Sequence, residues 1–205
     1  MSNTIRAYSN DEHLILERRS QITKYAIKLF LDKGFQNTTT RLLSKASKIP
    51  EGTIYRYIGS KNDLLHLICI EKSDAGEYLE KLIEKNNELS VSQLLKMCIE
   101  VYLTAEDADR DYIVFFNREI KNFSPDDRRL LLKDEMAITE AFEKLLLKGI
   151  STGEFKITNP KLIAHNITML GQIWPLHHWY LKRDYSLNQY IEEQTQLILK
   201  QIKNT

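Results

Sequence analysis

The segment 22–59 constrains the fold most, because its helical runs are short and end sharply. Apolar residues recur at the three- and four-residue spacing of an amphipathic helix in its first part: Ile22, Tyr25, Ala26, Leu29 and Phe30. Gly34 can adopt a positive φ and end this helix. Shorter helices follow at 41–47, where Thr38 can supply the cap, and at 51–58. One longer helix and two short helices around a tight turn predict a helix-turn-helix.

The remainder of the chain also has helical patterning. Ser60 to Asp63 has the form of a capping box and begins a long fourth helix towards residue 85. Further helices are predicted at 91–108, 110–122, 125–151, 160–182 and 187–203. The predicted fold is therefore all-α with about nine helices. We expect residues 1–60 to form the N-terminal tail and helix-turn-helix domain, and 61–205 a helical domain for ligand sensing and dimerisation.

Charge is distributed unevenly along the chain. Of the 29 Lys and Arg and 28 Asp and Glu, ten basic and five acidic residues lie up to residue 60, and nineteen and twenty-three lie beyond it. A basic N-terminal segment can approach DNA phosphates. Solvated helix faces are also commonly basic, so charge alone leaves both interpretations open.

Several function classes lack support in the sequence. Cys69 and Cys98 have no partner at metal-ligand spacing, which favours two small apolar side chains in a reducing compartment and no metal site. No signal-length apolar segment and no run of 18 apolar residues occurs, so we expect a cytoplasmic protein without a membrane partner. No catalytic motif or cofactor loop is present, and we predict neither an enzyme nor a bound cofactor.

Residues 18–65 resemble the DNA-binding domain of the TetR family over their whole length. Four parts carry the resemblance: Lys33-Gly34-Phe35, Thr38-Thr39, the run Gly52-Thr53-Ile54-Tyr55-Arg56-Tyr57, and Ser60-Lys61. The resemblance implies double-stranded operator DNA as partner, with Thr39, Tyr55 and Lys61 on phosphates. It places Glu51, Gly52, Thr53 and Arg56 where the recognition helix faces the major groove. Ile54 and Ile58 share the opposite, inward face.

Some of these side chains have a second interpretation. Tyr55 and Tyr57 are either DNA contacts or packing residues, and Arg18, Arg19 and Arg41 either add charge at the DNA backbone or are simply solvated. In the N-terminal tail, Arg6 either reaches a neighbouring minor groove or lies in a disordered segment without function.

The turn departs from the family pattern. Lys48 stands where family members usually carry Gly, and Pro50-Glu51 where they carry Ser and Lys. Lys48 is included among the DNA-binding residues, and it either adopts a left-handed conformation or bends the turn differently. Glu51 is repelled by phosphates but can accept a hydrogen bond from a cytosine amino group, which predicts an unusual operator.

A homodimer is expected because one helix-turn-helix reads only a few base pairs. The last two long helices carry apolar stripes, from which the predicted interface residues are Ile163, Ile167, Leu170, Trp174, Tyr190, Ile191, Leu197 and Ile198. In the family such a pair of helices from each subunit forms a four-helix bundle. The stripes could equally belong to the core of one chain.

The predicted sensor is centred on the aromatic segment Trp174 to Tyr180. The predicted effector contacts are Tyr112, Phe115, Phe116, Arg118, Phe142, Trp174 and His178. The alternative is that these aromatic side chains are core residues. The runs 179–181, 185–187 and 190–195 are similar to those of TetR-type regulators of fatty-acid and acyl-CoA metabolism. That resemblance implies an acyl-CoA, a fatty acid or another small hydrophobic effector.

Together these observations predict a repressor that a small-molecule effector releases from a palindromic operator. The alternative is a TetR-like activator, or a regulator that acts through protein partners. The sign of regulation depends on where the operator lies relative to the promoter, which the sequence of the regulator does not contain.

Overall fold

The computed structural model describes residues 11–71 and 74–203, and within them the chain forms eleven α-helices and one 3₁₀ turn. In chain order they are α1 (Glu12–Lys33), α2 (Thr40–Ser47), α3 (Glu51–Ile58), α4 (Lys61–Glu71), α5 (Ala75–Lys85), α6 (Val91–Ala108), α7 (Arg110–Glu119), the 3₁₀ turn Ile120–Asn122, α8 (Pro125–Ser151), α9 (Pro160–Leu176), α10 (His178–Leu181) and α11 (Leu187–Ile202). Phe155 and Lys203 form an isolated β-bridge. The prediction of an all-α fold is confirmed.

The described residues form eleven α-helices where about nine were predicted, because two of the long predicted helices are interrupted. The fourth ends at Glu71 and α5 begins after Asp74, whose ψ of 7° and φ of −132° are not helical. Apolar spacing continues across this break, so periodicity does not reveal it. His177 separates α9 from α10, two residues after Pro175, which has no backbone N–H to continue the helical hydrogen bonds.

The first helix begins ten residues earlier than its apolar pattern at Ile22 predicts. Asp11 caps it by accepting a hydrogen bond from the Leu14 backbone N–H at 3.1 Å, and Glu12 adds negative charge to the first turn. The cap satisfies backbone donors that periodicity does not detect. Arg6, predicted to contact a minor groove, lies outside the described residues.

The helices group into two compact units. The first contains α1 to α4 together with Val114–Leu131, and the second contains Asp74–Ile113 and the chain from Leu132 onward. This grouping differs from the predicted boundary after residue 60, because α4 packs on α1 and α3. Residues from the middle of the chain also complete the core of the first unit.

Aromatic stacking joins Val114–Leu131 to α1 in the first unit. The Phe115 ring lies 5.3 Å from that of Phe30 and 5.7 Å from that of Phe123, and all three are buried. Nearby, His66 of α4 contacts the buried Asp127 carboxylate through Nδ1 at 2.5 Å. The core of the N-terminal helices therefore depends on residues far away in the sequence.

The core of the second unit surrounds α6, which packs against α5, α9 and α11. Tyr102 of α6 donates its hydroxyl to the Thr168 carbonyl at 2.9 Å. At the start of α6, the Glu154 carboxylate accepts hydrogen bonds from the Val91 and Ser92 backbone N–H groups at 2.9 and 3.0 Å. Burial opposes ionisation, but these hydrogen bonds lower the pKa of Glu154 overall.

None of the described helices combines the length and apolar character needed to cross a membrane. Both cysteines are buried. Burial raises the pKa of the Cys98 thiol to about 11, and burial together with the charge of Asp127 raises that of Cys69 further. Both side chains therefore remain protonated thiols at neutral pH and act as small apolar residues in the packing.

Candidate nucleic-acid interface

The two faces of α3 have opposite character. Ile54 and Ile58 are buried, with 0% and 1% of their surface exposed, as their spacing predicts. The opposite face is open to solvent and carries Glu51, Gly52, Tyr55 and Arg56, while Thr53 and Tyr57 at its edges are half-buried. We call these six residues the α3 face. It presents a carboxylate, a guanidinium and hydroxyl groups on a rigid helix of the size that a major groove admits.

Side chains of α1 hold the turn and α3 in place. Arg19 donates from Nε to the Tyr57 carbonyl at 3.0 Å, at the end of α3. Gln21 donates from Nε2 to the Ser47 carbonyl at 3.2 Å, at the end of α2. Burial lowers the pKa of Arg19. Arg19 thus orients the recognition helix, a role that neither interpretation of its charge from the sequence included.

The three predicted phosphate contacts are each positioned by a neighbour. Thr39, and not Thr38 as predicted, caps α2 by accepting from the Leu42 N–H at 3.2 Å, which leaves its hydroxyl hydrogen available. The Tyr55 hydroxyl lies 2.6 Å from that of Thr40, and 46% of the Tyr55 surface is exposed.

Lys61, the third predicted phosphate contact, is held by Gln36 and Phe35. Its Nζ donates to the Gln36 carbonyl at 3.3 Å and lies 4.3 Å from the centre of the Phe35 ring. Partial burial lowers the pKa of this amine. Because the side chain is already ordered, binding a phosphate would cost less conformational entropy than it costs a free lysine.

The turn between α2 and α3 contains a strained lysine. Lys48 has φ 58° and ψ 26°, which confirms the left-handed conformation considered from the sequence. Its side chain is exposed, whereas Ile49 is buried behind it. The chain thus keeps a positive charge beside α3 at the expense of backbone strain.

We predict that Lys48→Gly stabilises the fold. Relief of the left-handed strain is worth about 1–2 kcal/mol, and the larger entropy of glycine in the unfolded chain offsets roughly 0.5–1 kcal/mol of this gain. The expected net gain is therefore about 0.5–1 kcal/mol, read from urea unfolding. Lys45→Gly is the matched control and should destabilise, because Lys45 lies within a helix. A destabilised Lys48→Gly would contradict the strain argument.

Gly52 is the point at which another molecule can come closest to α3. A Cβ added at this position would meet no heavy atom of the described chain within 4 Å. The glycine is therefore not required by packing within the protein. Its place on the α3 face leaves the helix backbone uncovered on the solvent side.

Gly52→Ala should therefore separate folding from DNA binding. We expect the free energy of unfolding to rise by up to about 1 kcal/mol, since alanine favours helix. DNA affinity should fall about tenfold or more, because the added methyl group enters the space that the groove would occupy. Urea unfolding and fluorescence anisotropy with labelled duplex measure the two effects, with Ser20→Ala on exposed α1 as control. An unchanged DNA affinity would remove Gly52 from the interface.

Comparison with known proteins agrees with this geometry. A family model described as "Bacterial regulatory proteins, tetR family" matches residues 22–68, and one described as "Tetracyclin repressor-like, C-terminal domain" matches residues 88–202. The chain belongs to the TetR family. It is a DNA-binding transcriptional regulator and not an enzyme, and its residues 22–68 are the helix-turn-helix domain of that family.

Individual TetR-family proteins are similar along most of the chain. The HTH-type transcriptional regulator HbdR of Aromatoleum sp. (strain CIB) is 30% identical over 202 residues, covering 97% of this chain and 86% of HbdR. A tetR-family regulatory protein from Rhodococcus RHA1 superimposes with a TM-score of 0.76 at 20% identity, covering 91% and 97% of the two chains. FadR from Bacillus subtilis, solved with stearoyl-CoA, has a TM-score of 0.66 at 18% identity, covering 88% and 97%.

The predicted effector residues are divided between the two units. Phe115, Phe116 and Arg118 belong to the first unit, where Phe115 packs on α1 and Arg118 donates to the Leu31 carbonyl at 3.0 Å. In the second unit, Phe142 is buried against Tyr102. Phe115 and Phe142 are thus core residues, as the alternative interpretation of the aromatic side chains holds.

The other three predicted effector residues, Tyr112, Trp174 and His178, also lie in the second unit. The rings of Trp174 and His178 are 5.2 Å apart, whereas Trp174 itself is buried. A separate open groove of about 260 Å³ lies between α5 and α8 over Ile83 and Leu145, with charged residues at its rim. None of the predicted effector residues lines that groove.

The predicted dimer residues differ in how far they are buried. Four of them are buried in the core of their own chain and cannot at the same time cover a partner: Ile167, Trp174, Tyr190 and Ile191. Three more are partly buried against that core: Ile163, Leu170 and Ile198. Leu197 is 60% exposed. Both sides of α9 are apolar, so helical spacing identified the stripe that faces inward.

A different stripe of the same helices is exposed. Leu162 and Ile173 of α9 are 53% and 41% exposed, and Met169 between them is half-buried. We call these three residues, together with Leu197 of α11, the α9–α11 face. Exposed apolar side chains that share one side of a helix are typical of a protein interface.

Proposed function

We propose that this TetR-family regulator is a homodimeric repressor that a hydrophobic effector of the acyl-CoA type releases from a palindromic operator. The observation that carries the proposal is the α3 face, an exposed polar helix surface held by Arg19 and Gln21. On this proposal Thr39, Tyr55, Lys48 and Lys61 contact phosphates. Glu51, Thr53 and Arg56 reach base edges, while Tyr57 supports the edge of the face.

The α9–α11 face supports dimerisation. Its exposed leucine and isoleucine side chains would lose contact with water when two copies associate, at about 25 cal/mol per Å² of apolar surface buried. Two helices from each subunit can form the four-helix bundle that the family resemblance implies. A dimer also presents two α3 faces to two half-sites. Two are needed because one helix-turn-helix contacts too few base pairs for specific binding.

The proposed effector class rests on relatives. One solved structure of the same fold contains stearoyl-CoA, and a relative 22% identical over 137 residues is named a fatty acid metabolism regulator protein. Coupling of about 1–3 kcal/mol between effector and operator is sufficient for a switch.

Operator binding with and without an acyl-CoA tests the proposal. The wild-type protein should retard a duplex that contains the promoter region of its own gene, and decanoyl-CoA should weaken this binding at least fivefold. Arg56→Ala should relax base preference while it preserves non-specific binding. A reporter under the same promoter should be derepressed when the regulator gene is deleted. A fall in reporter output would instead identify an activator, and retardation unaffected by decanoyl-CoA or decanoate would reject this effector class.

A further inference from the structure

A polar cluster lies where the end of α6 meets the end of α9 in the second unit. Asp107 accepts hydrogen bonds at one carboxylate oxygen, Oδ1, from Trp174 Nε1 at 2.7 Å and from Arg110 Nη2 at 2.5 Å. His178, the first residue of α10, stands edge-on to Trp174 with 5.2 Å between ring centres. We call these four residues the Asp107 corner.

Two nitrogen atoms of this corner are buried and have no hydrogen-bond partner among the described residues: Arg110 Nε and His178 Nδ1. The guanidinium Nε always carries a hydrogen, so it is a donor without an acceptor. Leaving such a group unpaired costs free energy, and folded proteins do so rarely. The Arg110 Nε–H therefore lacks an acceptor among the described residues, and a neutral His178 ring that carries its hydrogen on Nδ1 can donate to the same acceptor.

The surrounding charges select the kind of acceptor. Burial lowers the pKa of His178 first, and the positive charges of Arg110 and Lys182 lower it further, whereas Asp107 acts in the opposite direction. Burial and the two positive charges thus favour the neutral form of the ring, and the charged groups that act on it carry two positive charges and one negative. This surplus favours an acceptor with negative charge over a neutral carbonyl.

The corner is also close to solvent. The Arg110 side chain retains 35% of its exposure, although its Nε atom is covered. His178 begins α10, a single turn whose Trp179 is 67% exposed.

We propose that the Asp107 corner binds an oxyanion of the effector, a carboxylate or phosphate group, through Arg110 Nε–H and His178 Nδ1–H. The inference rests on the proposed effector response for its biological meaning, and on the two unpaired nitrogen atoms for its chemistry. It gives Arg110 a role in ligand recognition in addition to its ion pair with Asp107.

Nuclear magnetic resonance of the full-length protein tests the site without knowledge of the effector. The Arg110 Nε–H signal, assigned by its loss in Arg110→Lys, should shift saturably when sodium phosphate or sodium acetate is added at constant ionic strength. His178→Phe keeps an aromatic ring beside Trp174 and should weaken the response about tenfold. Arg129→Lys is the matched control, because Arg129 pairs with Asp126 on an exposed surface of the first unit. A signal that no anion shifts, or one that His178→Phe leaves unchanged, overturns the inference and leaves an ordered water as the partner.

Three probes distinguish the source of the oxyanion. Decanoate should shift the Arg110 signal if the corner takes a carboxylate. Coenzyme A alone should shift it if the corner takes a phosphate. Decanoyl-CoA carries the same phosphates together with an acyl chain. Operator release by decanoyl-CoA or decanoate is measured separately. An anion response without operator release supports the site and rejects the proposed effector class. Release that Arg110→Lys and His178→Phe leave unaltered supports the effector class and overturns the site.

Discussion

Lys61→Ala is expected to weaken DNA binding by the dimer about 30- to 100-fold, on any duplex sequence. Each subunit would lose one charge-assisted phosphate contact worth about 1–1.5 kcal/mol, and the dimer contains two. Because the lysine contacts no base, the loss should be equal for operator and random duplex. The slope of log affinity against log salt concentration should become shallower by about 2, one unit for each lysine.

The structure suggests how to separate this effect from damage to the fold. Lys61 also donates to the Gln36 carbonyl and lies over Phe35, so the unfolding midpoint of the variant is measured alongside. Lys161→Ala, on the exposed first turn of α9, is the matched control and should leave the affinity and the salt slope unchanged. An unchanged salt slope in Lys61→Ala would mean that this amine does not neutralise a phosphate.

Leu197→Glu should convert the protein to monomers and reduce operator binding more than 100-fold. A charge placed in an apolar interface must be desolvated when two copies associate, which costs several kcal/mol. A monomer engages only one half-site and loses the high effective concentration of the second head. Light scattering coupled to size-exclusion chromatography measures the mass, and anisotropy measures the affinity for the operator.

Leu147→Glu is the matched control for this substitution. Leu147 lies on α8 and is 48% exposed, against 60% for Leu197, but it is outside the α9–α11 face. The control should remain dimeric and bind DNA normally. Dissociation of Leu147→Glu but not of Leu197→Glu would place the interface on α8 instead.

Helical spacing predicted where helices form more reliably than it predicted which side of each helix is buried. For α3 it separated Ile54 and Ile58 from the exposed face, because only one side of that short helix is apolar. For α9 it selected Ile167 and Trp174, which are buried in their own chain. Periodicity contains no information about which apolar side faces the core when both sides are apolar.

Long-range contacts account for what the sequence pattern could not predict in the first unit. Phe115 was expected near an effector, but it stacks on Phe30, 85 positions earlier in the chain. The turn at Lys48 was predictable as a departure from glycine, and its left-handed φ follows from the tight geometry of the motif. Local sequence patterns thus predicted the helix-turn-helix, whereas the surroundings of the predicted effector residues depend on packing between distant segments.

Selection of operator sequences from a random duplex library tests the central claim most directly, with wild-type protein and Glu51→Gln compared side by side. We predict two inverted half-sites separated by about 10 base pairs, or a multiple of that spacing, because two α3 faces must meet the same side of the duplex. Cytosine should be enriched at one position in each half-site for the wild type, and this preference should weaken in the variant, since a neutral amide accepts less strongly from the cytosine amino group. Enrichment of no inverted repeat, or the same base preferences in both proteins, would contradict the assignment of α3 and Glu51 to the major groove.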